Sequence, residues 1–125
     1  MNEVGTDRFR RERVVQGSDL DFLGHVNNMV WVRFVVELAF AHSKALRWDD
    51  SDFGRLGIRW VVHRHEIDYL VPAFEGDLLV EETWIEEMRG ARCLRSSQIS
   101  RGDEILLLAR TTWVLVDSRT GRPRR

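Results

Sequence analysis

Hydrophobic positions gather into one long block followed by several shorter ones. The block is HVNNMVWVRFVVELAFAHSKAL, and from Val26 to Leu46 its polar side chains are few. Arg33, Glu37 and Lys44 recur there at offsets of four and seven, the spacing of one helical stripe. The β-branched residues argue mildly against a helix, but a strand rarely runs this long. Asn27 and Asn28 open the block, and asparagine caps helix N-termini well. The rest of the circumference is apolar, which predicts a helix wrapped by other elements.

The remaining segments read as strands and turns. RFRRERVVQ is extended and weakly patterned. After the helix, WDDSDFGRLG reads as a polar loop with two glycines. IRWVVHRHEIDYLV is a long extended run that ends at Pro72, and AFEGD is a turn. LLVEETWIEEM alternates over part of its length, RGAR turns, CLRSSQIS extends, and RGDE signals a hairpin. ILLLARTTWVLVD is apolar enough for a central strand. The predicted order is a strand, a long helix, then four strands in a meander. The fold class is therefore α+β: about five antiparallel strands curling around one long central helix. Residues 1–125 read as a single domain, with about 118–125 a flexible basic tail.

Composition narrows the function without naming it. The chain has 125 residues, 43% hydrophobic and 31% charged, with a net charge of −1. That balance gives no reason to expect nucleic acid as a partner. Cys93 is the only cysteine, so neither an intrachain disulfide nor a cysteine metal cluster is expected. No apolar run suits a signal peptide or a bilayer span, so the expected location is cytoplasmic, with no membrane insertion. His63 and His65 lie two apart, which on a strand places them on one face. No third ligand stands nearby, and neither a metal nor any other cofactor is expected.

The chemistry gathers in GSDLDFLGHVNNM, just before the helix. Asp21 precedes His25 by four residues, with Gly24 between them. Gly24 accepts backbone angles that other residues avoid, so a tight approach is inexpensive there. A helix N-terminus offers unpaired N–H groups and a positive dipole end. Such an end polarises a carbonyl and stabilises the oxyanion formed on attack. A carboxylate held just upstream can attack that carbonyl or activate water. The plainer reading of Asp19 or Asp21 is a helix cap. By the same token His25 is a hydrogen-bonded structural residue, Asn27 and Asn28 are caps or turn residues, and Glu37 is the surface partner of Arg33.

SDLDFLGHVNNMVWVRFVVE resembles the opening motif of the hotdog-fold thioesterases, in their 4-hydroxybenzoyl-CoA thioesterase-like branch. The pattern, close to D-x-D-x-x-G-H-V-x-N with an aromatic and a helical glutamate after it, reads Asp19, Asp21, Gly24, His25, Val26, Asn28, Trp31 and Glu37. IDYLVPAFEGD, from Ile67 to Asp77, resembles the second landmark of these proteins. VNN is similar to plant-type acyl carrier protein thioesterases of the same fold. Many relatives have tyrosine where Trp31 stands, or an aromatic where Asn28 stands, which bears on acyl preference. The resemblance implies the hotdog fold and cleavage of an acyl-CoA or acyl carrier protein thioester. It implies Asp21 as the catalytic carboxylate, Asn28 and its neighbours at the carbonyl, and His25 orienting loop or substrate. Gly24 and Val26 would border the substrate. It further implies a homodimer or homotetramer with active sites between subunits. Arg119 to Arg125 are candidates for CoA phosphates. Two other readings rank lower: an enoyl-thioester hydratase or dehydratase, and a domain that binds acyl ligands without turnover.

Overall fold

The structure, a computed structural model, describes residues 8–46 and 50–124. Strand β1 (Phe9–Val14) leads through a short 3₁₀ turn (Gly17–Asp19) and a loop into helix α1 (Asn28–Ala45). A second, short helix α2 (Asp50–Leu56) precedes strands β2 (Ile58–Tyr69), β3 (Leu78–Arg89), β4 (Arg92–Arg101) and β5 (Glu104–Asp117). The five strands form one antiparallel sheet in the order β1-β3-β4-β5-β2. The sheet is open and curls against α1. This is the α+β hotdog arrangement that the hydrophobic pattern and the motif imply.

Helix α1 presents Trp31, Phe34, Val35, Leu38, Ala39 and His42 to the sheet. Those positions recur every three or four residues and make one stripe. Val30 and Val36 pack at the margins of that stripe, and Phe40 stands edge-on to Trp113. Met29, at the helix start, is exposed. The sheet wraps the helix, as its apolar pattern predicts.

Hydrogen bonding across the sheet brings facing residues into rows, and the rows change character along the helix. Near the N-terminal half of α1 the inner face carries Leu79, Ile99, Leu107 and Ala109, all in one buried apolar cluster with Phe34 and Val35. Toward its C-terminal half Cys93 and Trp113 join Ala39 in a second cluster. Between them lie buried polar residues, among them Thr83, Arg95, Ser97 and Thr111. The Ser97 hydroxyl donates to Thr83 Oγ1 at 3.0 Å, and Thr83 Oγ1 donates to the Ser96 carbonyl at 2.8 Å. Buried hydroxyls persist only when satisfied this way.

Three expectations change. The four late strands are not a simple meander. β3, β4 and β5 follow one another, but β2 pairs with β5 and lies at the far edge. β1 occupies the second edge of β3, with Phe9 opposite Thr83 and Val14 opposite Leu78. The segment from Leu70 to Asp77 crosses the end of the sheet, with Leu70 N–H and Val71 N–H both donating to the Leu106 carbonyl. WDDSDFGRLG, read as a loop, contains α2 from Asp50 to Leu56, although Trp48 and Asp49 lie outside the described residues. His63 is the extra residue of a bulge between Val62 and Arg64, so simple alternation with His65 fails. After β5 the Asp117 carboxylate accepts from the Arg119 and Thr120 N–H groups, and Arg124 N–H donates to the Leu115 carbonyl.

Candidate active site

The loop before α1 is fixed by short-range bonds its own sequence supplies. The Asp21 carbonyl accepts from Gly24 N–H at 3.0 Å, and Asp21 N–H donates to the His25 carbonyl at 2.9 Å. Asp21 Oδ1 accepts from Leu23 N–H at 2.9 Å, an Asx turn of the kind aspartate favours. Gly24 closes the turn at φ +84°, a left-handed angle that costs a side-chain-bearing residue strain. An isolated bridge pairs Leu20 with Val26 at the base of the loop.

Longer-range bonds tie the loop to the rest of the protein. Asp19 is 5% exposed. Its carboxylate accepts from Gln16 N–H at 2.8 Å and from Arg33 Nη2 at 2.9 Å, and its carbonyl accepts from Asn27 N–H. Val26 N–H donates to the Ala73 carbonyl at 2.9 Å. The segment carrying Ala73 is itself braced, because Asp77 Oδ2 accepts from Phe74 N–H and from Arg101 Nη1. Burial opposes the charge on Asp77, yet the Phe74 N–H and the Arg101 guanidinium outweigh it and hold that carboxyl below its ordinary value.

Helix α1 is capped by Asn27, whose Oδ1 accepts from Met29 N–H at 2.8 Å. The Asn27 carbonyl accepts from the Val30 and Trp31 N–H groups. Asn28 N–H has no acceptor among the described residues, and Asn28 itself is exposed. The cap thus satisfies its neighbours and leaves one donor facing out at the positive end of the helix. The Tyr69 hydroxyl donates to the Asn28 carbonyl at 3.4 Å, the long end of the hydrogen-bond range.

Asp21 is the loop carboxylate with capacity to spare. With Oδ1 committed to Leu23 N–H, Oδ2 faces His25 Nδ1 at 3.7 Å. That separation is too long for a hydrogen bond. The side chain keeps about 20% of its surface in solvent. A carboxylate that can accept a proton therefore stands seven residues before an unpaired N–H donor, in one braced loop.

The structure thus brings together Asp21, Gly24 and His25, and Asn28 opens the helix three residues further on. It separates Val26 from them, because that side chain is 1% exposed and packs in the core. Val26 anchors the loop and has no surface to offer a ligand. Trp31 is also buried, edge-on to Phe34. Glu37 accepts from Arg13 Nη2 at 2.9 Å and lies 3.7 Å from Arg33 Nε, so its main partner is on β1 and not on its own helix. Tyr69, Arg33 and Ala73 support the loop from positions that no local signal marks, since each acts across 14 or more residues. Among the described residues no group of three histidine, cysteine or acidic side chains could hold a metal ion, and no helix is long and apolar enough to cross a membrane.

Comparison with known proteins places this geometry in context. The family described as acyl-ACP thioesterase N-terminal domain matches residues 6–125. A probable thioesterase from Bartonella henselae superposes with a TM-score of 0.89 at 24% identity, covering 95% of this chain and 98% of that one. A probable thioesterase from Escherichia coli gives 0.77 at 26% identity, with 91% and 86% covered. A DHNA-CoA thioesterase from Staphylococcus aureus gives 0.88 at 17% identity, with 94% and 80% covered. No curated protein sequence matches the chain.

Proposed function

The chain belongs to the acyl-ACP thioesterase N-terminal domain family, and from that premise we propose that it hydrolyses an acyl-CoA or acyl carrier protein thioester. The observation that carries the reading is that one braced loop carries both a partly exposed Asp21 carboxylate and, seven residues on, the unpaired Asn28 N–H. The thioester carbonyl oxygen accepts from Asn28 N–H, and the helix dipole favours the negative charge that grows there. Asp21 takes a proton from water as general base, or attacks the carbonyl carbon as nucleophile. Collapse of the tetrahedral intermediate breaks the C–S bond and expels the thiolate, which is protonated to the free thiol; on the nucleophilic route this leaves an acyl–Asp21 anhydride, which water cleaves to the free acid and the Asp21 carboxylate. His25 orients the loop, and Gly24 keeps it close to the substrate.

The active form is a homo-oligomer. Strand β2 is an edge strand of 12 residues with one side unpaired, the kind of edge that pairs with another copy. Phe22 is 96% exposed and Met29 80% exposed, on either side of Gly24 and Asn28. Large apolar side chains this open, flanking a reactive loop, fit a site completed by a neighbouring subunit.

The test is a hydrolysis panel of short, long and aromatic acyl-CoA and acyl carrier protein thioesters, read by free-thiol release. Asp21→Asn keeps an oxygen acceptor for Leu23 N–H, so the turn survives. On a responsive substrate it should lower kcat/KM by about 10²- to 10⁴-fold, the usual weight of a general base. Activity within a few-fold of wild type would sink the assignment. In a single-turnover reaction in ¹⁸O-water, label on Asp21 identifies it as the nucleophile, with water opening the anhydride at the Asp21 carbonyl.

A further inference from the structure

The chemistry proposed for α1 occupies its N-terminus, and the other half of the helix borders a cavity of about 300 Å³. Ala39 and Ser43 from α1, Phe53 from α2, Trp60 from β2 and Trp113 from β5 line it. Ala39 and Ser43 lie 11 and 15 residues beyond Asn28, about 17–23 Å along the axis at 1.5 Å per residue. Phe34, Val35 and Leu38 fill the interval and are at most 1% exposed. Within one chain the cavity is therefore separate from the Asp21 loop.

One wall residue is out of character with the rest. Arg95 lines the cavity and is 6% exposed, yet no carboxylate pairs with it among the described residues. Its Nη1 donates to His42 Nδ1 at 2.8 Å and to Thr83 Oγ1 at 3.2 Å. Nε and Nη2 have no acceptor among the described residues. Buried charges are ordinarily paired. Burial pushes the guanidinium below its ordinary pKa, as expected of a cation that lacks a counter-ion. A second donor in the same wall is orphaned: Trp113 Nε1–H is buried with no hydrogen-bond partner among the described residues.

An apolar chamber with an unpaired cation at its wall has a definite complement. We propose that the cavity binds an organic acid with an apolar body, its carboxylate paired with the Arg95 guanidinium. The planar fork of arginine matches a carboxylate in two-point contact. The aliphatic or aromatic body of the ligand packs against Ala39, Phe53 and Trp60. Free carboxylic acids are also what thioester hydrolysis releases. The binding site nevertheless stands on the cavity and Arg95, whatever the Asp21 loop does.

The experiment titrates octanoate and 1-octanol, alone, into the ¹⁵N-labelled full chain and follows the indole N–H signals, with Trp113→Phe assigning the Trp113 signal. Octanoate should shift that signal and bind at least roughly ten-fold more tightly than octanol, the weight of a charge-assisted contact. Arg95→Met should erase the preference for the acid while octanol binding persists. Ser43→Phe, which fills the chamber from the helix side, should weaken both ligands by ten-fold or more without changing thioester hydrolysis. Equal binding of acid and alcohol overturns the proposal. So does an unchanged preference in Arg95→Met, or octanoate shifts confined to residues 21–29. Should Arg95→Met fail to fold, Ser43→Phe and the wild-type comparison of acid with alcohol still decide the matter.

Discussion

Replacing Glu81 with alanine should loosen the whole edge of the sheet that faces α1. Glu81 is fully buried on β3. Its Oε1 accepts from Arg11 Nε at 2.7 Å and its Oε2 from Arg13 Nε at 2.8 Å. Arg13 also donates to Glu37 on α1 at 2.9 Å, so one buried carboxylate links β1, β3 and the helix. Its removal leaves two arginines without that counter-charge, and Arg11 Nη2 is already buried without an acceptor. Breaking a buried pair costs about 3–5 kcal/mol. Arg11 and Arg13 keep 30% and 21% of their side-chain surface in solvent and can turn partly outward, which favours the lower end, about 3 kcal/mol. For a domain of this size that is a fall in Tm of about 10–15 °C. Urea unfolding gives the free energy, and amide exchange should show β1 opening before β4 and β5. A Glu81→Leu, Arg13→Met double variant should recover much of the loss, since an apolar replacement removes both charges together. A Glu81→Ala protein within 1 kcal/mol of wild type, with β1 still protected, would refute the idea that this carboxylate fastens the edge.

Two smaller perturbations address the loop and its brace. Asn27→Ala removes the acceptor for Met29 N–H and should cost about 1 kcal/mol in urea unfolding, as lost N-caps do. It should also reduce hydrolysis, because the same turn presents Asn28 N–H. Unchanged stability and unchanged activity together would contradict the capping argument. Asp77 has its carboxyl pKa lowered in the folded state. Its stabilising contribution is therefore present above the ordinary carboxylate value, roughly pH 4, and is lost as pH falls through the lower folded value. In Asp77→Asn the stability should fall less steeply below about pH 4 than in wild type. Parallel acid limbs for the two proteins would show that the group does not contribute.

What could be read in the sequence was what is encoded locally. Helix α1 begins one residue after its asparagine cap, as the 3.6-residue pattern and the capping preference together imply. The loop Asp19 to Asn28 was legible because its turn, its left-handed glycine and its caps all lie within ten residues. Strand pairing was not, because alternation says which residues extend and is silent on their neighbours. The seven residues of α2 include Gly54 and lack a long apolar face, so nothing local separates them from a loop. β4 was legible as a strand, but what it buries was not. Its inner face runs Cys93, Arg95, Ser97 and Ile99, largely polar where a core strand should be greasy. Their partners come from other elements, Arg95 Nη1 meeting His42 and Thr83, and Ser97 meeting Thr83, across 12 to 53 residues. Only the folded chain brings such partners together.

That polar band has a consequence for how one helix is used. It separates the apolar cluster beneath the Asp21 loop from the cluster beside the cavity. A continuous greasy core would close around α1 along its full length, and Arg95 would have no place in it. With Ser97 and Thr83 bonded to each other and Arg95 held through Nη1 by His42, the sheet packs tightly on Phe34 and Val35. Past the band, Ala39 and Ser43 border the cavity. The buried polar residues of β3, β4 and β5 therefore lie between the apolar cluster and the cavity, and the same helix carries the proposed reactive loop at its N-terminus and the proposed ligand chamber near its C-terminus.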